Sequence, residues 1–215
     1  MSNFGVRRLR VVNPYEVAFR EARSAVGASE VLTNAEEYPA IADAVADCPL
    51  VVGTTTLRNR ERQHPMHRLE EGVRRILKAL SSQPTAIIFG SEKVGLSNVD
   101  LSHCHWLMHI PTREGHPSMN LGQAVAVCLY EIARNEEVQA SANKDQLAAA
   151  GELERLTETL LKTLYESGYF DQSNATTNEL KIRRLVRRLN LHADDAELML
   201  GMLRQILWKI GPTEK

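Results

Sequence analysis

Short apolar runs alternate with amphipathic stretches through the first 135 residues of the chain. Runs typical of buried strands occur at residues 9–12, 50–53, 86–89 and 106–110, with a weaker strand candidate at 31–33. Apolar residues at helical spacing predict helices over residues 16–26, 36–47, 66–80 and 121–133. Because strands and helices alternate, we predict an α/β fold with a mostly parallel sheet that is covered on both faces.

The pattern changes after this region. Residues 136–150 are polar and alanine-rich without an apolar face, which predicts a linker between a domain over 1–135 and a second unit over 151–215. The second unit shows only helical periodicity, so we predict a small all-helical extension. Its helices are predicted to end near Gly168 and to span 180–189 and 194–210.

Polar and glycine-rich loops follow three of the predicted strands, at Thr54–Thr56, Gly90–Gly95 and Ile110–Leu121. The carboxyl ends of parallel strands meet at one edge of a sheet, where α/β proteins bind ligands. We therefore expect the three loops to form one site. The spacing of Gly90 and Gly95 is that of a phosphate loop, but Leu96 stands where a P-loop needs lysine, which argues against a P-loop NTPase.

The overall charge gives no sign of a nucleic-acid partner, but the local charge does. The 215 residues carry a formal net charge of -1, with 43% hydrophobic and 25% charged residues, as in an ordinary globular protein. The predicted helix at 180–189 nevertheless concentrates arginines, and Arg58, Arg60 and Arg62 form a second basic cluster. We expect the leucines of this helix to face the core, so that its arginines project towards phosphates. A merely solvated helix face is the alternative. The leucines are Leu185 and Leu189, and the arginines are Arg183, Arg184, Arg187 and Arg188.

Cysteine and histidine usage argues against disulfides and metals. Cys48, Cys104 and Cys128 lie in or beside apolar segments without a C-x-x-C pair, so we predict reduced, mostly buried thiols in a cytoplasmic protein. The histidines between residues 103 and 109 fit no standard zinc spacing, so we predict no metal. The sequence contains no recognisable signal peptide or membrane-spanning apolar run, so we predict no membrane partner.

Three segments together resemble the signature loops of a known enzyme family. They are Val52-Gly-Thr-Thr-Thr-Leu-Arg58, Ile88-Phe-Gly-Ser-Glu-Lys-Val-Gly-Leu96 and Ile110-Pro…Ser118-Met-Asn-Leu121. In order and spacing they are similar to the motifs of SPOUT-superfamily RNA 2′-O-ribose methyltransferases, over roughly residues 1–134. The second unit resembles the helical extension of the J-type tRNA methyltransferases, which modify the anticodon loop. The segments that carry this second resemblance are Glu152–Leu156, Gly168–Phe170 and Lys181–Arg188.

The resemblance implies a fold, a cofactor and an assembly. The fold would be an α/β domain with a trefoil knot at its C-terminal side, a rare exception among protein topologies. The knotted loops would bind S-adenosylmethionine, and the protein would be a homodimer with the apolar helix over 121–133 at the interface. The residues that the resemblance assigns to the cofactor are Thr54, Thr55, Thr56, Gly90, Ile110, Ser118, Met119 and Leu121.

The implied reaction is methyl transfer to a ribose 2′-hydroxyl in tRNA, at an anticodon-loop nucleotide of the position-32 type. The resemblance gives Asn120, Ser118 and Glu92 the task of holding the loops and the substrate ribose in place. It gives RNA contacts to Arg58 and to Arg183, Arg184, Arg187 and Arg188. The family's proton-handling arginine belongs to an Asn-x-Gly-x-x-x-Arg motif that this sequence lacks. Asn3-Phe-Gly5 aligns with the end of the family's first helix, which places that arginine and the first strand upstream of Met1.

Two alternatives to an active methyltransferase stay open. The first is a pseudo-enzyme that binds the cofactor and RNA without turnover, which the missing arginine motif favours. The second is a nucleotide-binding protein of another α/β class. The two differ in their ligands, because only the second would bind ATP tightly without binding S-adenosylhomocysteine.

Overall fold

A four-stranded parallel sheet forms the centre of the structure, a computed structural model that describes residues 1–14, 29–56, 64–113, 115–116, 118–135 and 147–210. The strands are β1 (Arg10–Val12), β2 (Glu36–Tyr38), β3 (Leu50–Thr54), β4 (Met66–Arg68), β5 (Thr85–Ile88) and β6 (Trp106–His109). The central sheet has the order β4-β6-β3-β5, and β1 pairs with β2 in a separate parallel sheet. The predicted helix at 16–26 and Arg58 lie outside the described residues.

Helices cover both faces of the central sheet, as predicted for a parallel sheet. The helices are α1 (Ser29–Thr33), α2 (Ile41–Ala44), α3 (Leu69–Leu80), α4 (Asn98–Ser102), α5 (Leu121–Arg134), α6 (Ala150–Glu166), α7 (Ala175–Arg188) and α8 (Ala193–Ile210). Val52 and Met108 point into a core with α3 and α5, whereas Val51 and Leu107 point into a second core with α2 and α4. Successive strand residues therefore serve opposite faces of the sheet.

Four segments differ from the sequence prediction. The weak strand candidate at 31–33 belongs to helix α1, and the first part of the predicted helix at 36–47 is strand β2. Strand β2 forms because β1 offers a partner, and the Glu36 amide donates to the Leu9 carbonyl at 2.9 Å. The start of the predicted helix at 66–80 is strand β4, which pairs with β6. Helix α4 was not predicted; it is too short for periodicity, although Ser97 and Asp100 form a capping box.

The helical extension has its own core and docks on the first domain. Leu153, Leu156 and Val186 are fully buried in this core, and α8 packs on the same helix, α6. The predicted linker ends earlier than expected, because Ala148 is buried and its amide donates to the Leu191 carbonyl at 2.9 Å. The Gly151 amide at the start of α6 donates to the Ala46 carbonyl beyond α2 at 2.9 Å. Residues 136–146 lie outside the described part.

The remaining compositional expectations concern cysteines and membranes. Cys48, Cys104 and Cys128 are buried and unpaired, as predicted. Burial raises the pKa of both Cys104 and Cys128 to about 12, so these thiols are protonated at neutral pH. Among the described residues, no helix is long and apolar enough to cross a membrane.

Candidate functional site

The three predicted loops meet at the carboxyl edge of the central sheet. Neighbouring strands β5, β3 and β6 end there, which brings Thr54, Gly90 and Ile110 to one cavity. The Thr54 hydroxyl donates to the Ile88 carbonyl at 2.9 Å, and the Thr55 amide donates to the Met108 carbonyl at 3.0 Å. The threonine loop is therefore fixed to both neighbouring strands.

The loop after β5 depends on glycine at Gly90 and Gly95. It closes on itself, with the Gly95 amide donating to the Ser91 carbonyl at 2.8 Å. A Cβ atom on Gly90 would lie 2.1 Å from the carbonyl carbon of Gly95, so no other residue fits without moving backbone. Gly95 has a φ of 70°, a left-handed conformation that L residues rarely adopt. The glycine spacing thus serves a tight loop wall rather than a P-loop.

Asn120 joins the last two loops. Its side-chain Nδ2 donates to Glu92 Oε1 at 2.9 Å, across 28 residues of sequence. Its Oδ1 accepts from the Gly122 amide at 2.9 Å, which makes Asn120 the N-cap of α5. One amide side chain therefore starts the helix and fixes the position of a carboxylate. Both Asn120 and Glu92 are exposed, so this pair is accessible to a ligand.

All eight residues predicted to contact the cofactor line one cavity of about 270 Å³. They are Thr54, Thr55, Thr56, Gly90, Ile110, Ser118, Met119 and Leu121. Glu92 also lines the cavity, whereas Asn120 reaches it through its bond to Glu92. Sequence reasoning missed Ala124 and Cys128, although the helical spacing from Leu121 puts them on the same side of α5. It also missed Met108, at the end of β6. The other lining residues lie in the segments already expected to form the site, although they were not singled out: Phe89, Ser91, Lys93, Val94, Gly95, Leu96 and Thr112.

The chemistry of this cavity fits S-adenosylmethionine. Loop backbone and the hydroxyls of Thr55 and Ser118 supply polar groups, while Phe89, Ile110 and Leu121 supply apolar surface. Polar and apolar atoms contribute similar shares of the lining, so the cavity offers both kinds of contact to a ligand. The cofactor combines a flat purine with a charged amino acid. The apolar side chains of the lining suit the purine, and its polar groups suit the amino acid.

Arginines near the N-terminus are engaged away from this cavity. Arg8 donates to Glu36 at 2.6 Å, and Arg10 donates to Asp47 at 2.6 Å. The hydrogen bond and charge of Arg8 hold the pKa of Glu36 at about 2. These arginines therefore brace β1 against β2 and α2.

Two of the arginines predicted to project from the basic helix are buried instead. Arg183 is 6% exposed and Arg187 is 1% exposed, whereas Leu185 and Leu189 are 41% and 47% exposed. The predicted orientation of α7 was therefore wrong. Ile182 and Val186 fill the core in place of the two leucines, and they bring the neighbouring arginines inwards.

Glu154 pairs with both buried arginines, and Arg183 has a second carboxylate partner in Glu179, whose Oε1 lies 2.7 Å from Arg183 Nη2. Arg183 Nη2 lies 2.8 Å from Glu154 Oε1, and Arg187 Nη2 lies 3.1 Å from Glu154 Oε2. Burial alone would raise the pKa of Glu154. The hydrogen bond from Arg183 and its charge outweigh this effect, with smaller contributions from His103 and Arg187, so the pKa of Glu154 lies below its ordinary value. Burial lowers the pKa of Arg187 to about 10, so it stays cationic at neutral pH. We call Glu154, Arg183, Arg187, Ser102 and His103 the Glu154 cluster.

The Glu154 cluster joins the extension to the first domain. Arg183 Nη1 reaches Ser102 Oγ at 3.5 Å, and His103 Nδ1 lies 3.7 Å from Glu154. Burial lowers the pKa of His103 to about 4, so the ring is neutral and this contact is not an ion pair at neutral pH. His105 lies just before β6, where its Nδ1 accepts from the Val51 amide at 3.1 Å and burial lowers its pKa to about 3. These histidines are core groups, which accounts for their spacing beside apolar residues.

The other two arginines of α7 lie on the outer side of this seam. Arg188 is exposed and Arg184 is half-buried. Both charges act on His64, whose pKa is lowered to about 4 by burial first and then by Arg184 and Arg188. His64 directly follows the segment that contains Arg58, Arg60 and Arg62. A basic surface therefore begins where α7 meets the first domain.

The fold and the three loops define a class of protein, the SPOUT-type methyltransferases. Residues 1–130 match the SpoU rRNA Methylase family, and the chain belongs to this family. Over 214 residues it is 33% identical to the tRNA (cytidine/uridine-2'-O-)-methyltransferase TrmJ of Yersinia pestis (strain Pestoides F), covering 96% of this chain and 83% of that protein. The TrmJ of Pectobacterium atrosepticum is 33% identical over 213 residues, covering 96% and 88%. The crystal structure of TrmJ from Z. mobilis ZM4 superposes with a TM-score of 0.83 at 28% identity, covering 96% of this chain and 89% of that one.

Proposed function

We propose that this protein is an S-adenosylmethionine-dependent tRNA methyltransferase. It methylates a ribose 2′-hydroxyl in the anticodon loop, at a nucleotide of the position-32 type, and acts in the cytoplasm. The observation that carries the proposal is the cavity where the three family loops meet, with Asn120 bonded to Glu92 at its rim. The substrate class follows from the relatives, since the proteins that match over most of their length are named tRNA 2'-O-methyltransferases.

The cavity residues would bind and orient the cofactor. When bound, S-adenosylmethionine supplies an electrophilic sulfonium methyl group. Thr54–Thr56 and Gly90–Gly95 offer backbone hydrogen bonds from loops that are already fixed to the sheet. Leu121 and Cys128 of α5 close the cavity with apolar atoms and keep water from that side. A rigid cleft of this kind reduces the entropic cost of positioning the reactants.

Glu92 and Asn120 would position the substrate ribose. Asn120 holds Glu92 Oε1, and Glu92 Oε2 makes no hydrogen bond with any residue that the structure describes. That second oxygen can accept a hydrogen bond from a ribose hydroxyl, and Ser118 lines the same cavity. A 2′-hydroxyl is a poor nucleophile, so orientation and removal of its proton both contribute to the rate.

The tRNA contacts would come from the outer face of α7. Arg188 and Arg184 form a basic surface at the seam between the two units. The resemblance adds Arg58, which lies outside the described residues. Arg183 and Arg187 contribute indirectly, because they fix α7 to Glu154 and so orient the outer arginines. Arginine side chains at a protein surface suit bidentate phosphate contacts.

The assembly would be a homodimer through α5, in a domain that carries the family's trefoil knot. Gly122, Ala126 and Tyr130 follow one another along a single side of α5 and are all exposed. Small residues beside one exposed aromatic ring allow close approach of a second helix. A dimer through this side would place a partner next to the cavity that α5 closes.

A second candidate is a pseudo-enzyme that binds the cofactor and tRNA without turnover. It is favoured by one observation, the position of two arginines that the structure describes before β2. Glu36 and Asp47 hold the side chains of Arg8 and Arg10 away from the cavity, so neither arginine is placed to take a proton from a ribose there.

A methylation assay on unmodified tRNA, with mapping of the modified ribose, tests the proposal. We expect a single 2′-O-methylated nucleotide in the anticodon loop. Calorimetry with S-adenosylhomocysteine and with ATP runs in parallel. Binding of S-adenosylhomocysteine without methyl transfer would favour the pseudo-enzyme, and binding of ATP alone would overturn both candidates.

A further inference from the structure

Helix α8 carries two apolar faces, and the described part of the chain covers only one of them. Ala196, Met199 and Leu203 pack into the core of the extension against α6. Leu198, Met202, Ile206 and Ile210 follow at intervals of four residues and are 62%, 50%, 46% and 39% exposed. Residues four apart lie on one side of a helix, so these four form a continuous stripe. We call it the outer stripe of α8.

Between Asp195 and Lys209 this side of α8 is symmetric about Met202 in its chemistry, whereas Ile210 lies beyond the symmetric span, because Asp194 stands at the corresponding position before Met202. Leu198 and Ile206 lie four residues before and after Met202. Asp195 and Lys209 lie seven residues before and after it, and both are exposed. Because seven residues make about two helical turns, both charges fall on the same side as the stripe. Neither makes an ion pair or hydrogen bond with another residue that the structure describes.

This symmetry fits an antiparallel pair of identical helices. With Met202 at the two-fold axis, Leu198 of one copy lies opposite Ile206 of the other, and Asp195 lies opposite Lys209. Every contact then occurs twice, as a two-fold interface requires. Intervals of three and four residues are those of helix pairs that pack side chains between one another. The helix dipoles also run in opposite directions, which is the favourable arrangement.

We infer that the outer stripe of α8 is a self-association surface that binds α8 of a second copy of this chain. An RNA partner fits poorly, because Asp194, Asp195 and Glu197 would repel phosphates at the start of the helix. The charges on this side of α8 are complementary to those of a second, antiparallel α8, which favours a second copy of this chain over a different protein. The surface lies on the extension, so it is separate from the exposed side of α5 in the first domain.

Cysteine cross-linking tests the pairing at its axis. Met202→Cys places a thiol where it meets its own copy, and Trp208→Cys places one at a position that is 75% exposed on another side of α8. The native cysteines are at most 4% exposed, so the background is low. We expect the Met202→Cys protein to form its intermolecular disulfide about tenfold faster than the control. Equal rates in the two variants would overturn the inference. A protein that dimerises only through α5 would give this result, because residue 202 would then not meet its own copy.

Charge reversal in the Met202→Cys background tests the register. Asp195→Lys or Lys209→Asp alone places like charges together and should slow cross-linking about tenfold. The double variant Asp195→Lys, Lys209→Asp restores opposite charges and should restore the rate. Arg204→Asp is the matched control, since Arg204 is exposed on another side of α8. Failure of the double variant to recover, with its helical circular dichroism unchanged, would show that the copies do not pair in this register.

Discussion

The Asn120–Glu92 pair and the Glu154 cluster each join segments that are far apart in the sequence, across 28 and 29 residues respectively. The first lies at the open rim of the cavity with both side chains exposed. The second lies between α6, α7 and the end of α4, where Arg187 is 1% exposed. Similar hydrogen-bonding groups thus occur in two very different environments.

The difference between the two regions lies in what else can reach their polar atoms. Glu92 lines the cavity and its Oε2 has no hydrogen bond to a residue that the structure describes, whereas both oxygens of Glu154 are bound by arginines. A polar group at a rim can exchange water for a ligand, while a buried charge must keep its partner or lose several kcal/mol. Helix α7 shows the same division within one element, since Arg183 and Arg187 face Glu154 and Arg188 faces solvent.

Removing a buried arginine should have the largest effect on stability. Arg187→Met leaves the carboxylate of Glu154 with one partner fewer in a buried site, so we expect a loss of about 3–5 kcal/mol in the free energy of unfolding. Denaturant titration measures the loss. The matched control is Arg188→Met, one residue further along and exposed, which should change stability by less than about 0.5 kcal/mol. Equal losses in the two variants would contradict the burial of Arg187.

Substitution at Asn120 should affect catalysis more than folding. In a protein that shows methyl transfer, Asn120→Asp keeps the oxygen that caps α5 but loses the donor to Glu92. We expect transfer to fall about 100-fold because Glu92 is no longer positioned. Asn120→Ala should lose the cap as well, at a further cost of about 1 kcal/mol in stability. A wild-type rate of methyl transfer in the Asn120→Asp variant would contradict a role of Asn120 in the site.

As the pH falls, the buried region around His103 and His105 should lose stability first. Burial lowers the pKa of His103 to about 4 and that of His105 to about 3, below the unfolded value of about 6.5. The unfolded chain therefore binds more protons as the pH falls below 6.5, and the folded state loses stability down to the folded pKa. At about pH 5 the expected loss is about 2 kcal/mol for each ring. His103→Gln should lose correspondingly less stability between neutral pH and pH 5, and an unchanged loss would count against this origin.

The smallest effect should come from the outer arginines. Replacing Arg184 and Arg188 with Gln removes two of the proposed phosphate contacts, so tRNA affinity should fall about tenfold at moderate salt and the salt dependence should weaken. Filter binding at several salt concentrations measures both. Arg204→Gln on α8 serves as the control for net charge. If the control weakens binding equally, the effect is not specific to the surface at the seam.

Local sequence signals located the candidate site but misplaced parts of the fold. Glycine at residues 90 and 95 and the cap at Asn120 each depend on nearby backbone, so the loops could be predicted from their own residues. Strand β2 could not, because its three residues become a strand only through pairing with β1. Helix α7 was predicted, but with the wrong side facing the core. Its Leu185–Leu189 side and its Ile182–Val186 side are both apolar, so the sequence alone does not show which of them is buried.

Periodicity, glycine spacing and helix caps are local properties, so residue order alone predicts the α/β alternation, the helical extension and the loops around the cavity. Which charged residues are structural depends instead on long-range packing. Arg183 and Arg187 differ from Arg184 and Arg188 by the position of Glu154, which lies 29 residues before Arg183 in the chain. Burying an arginine is acceptable only where a carboxylate meets it, and that meeting depends on how two helices and the first domain pack together.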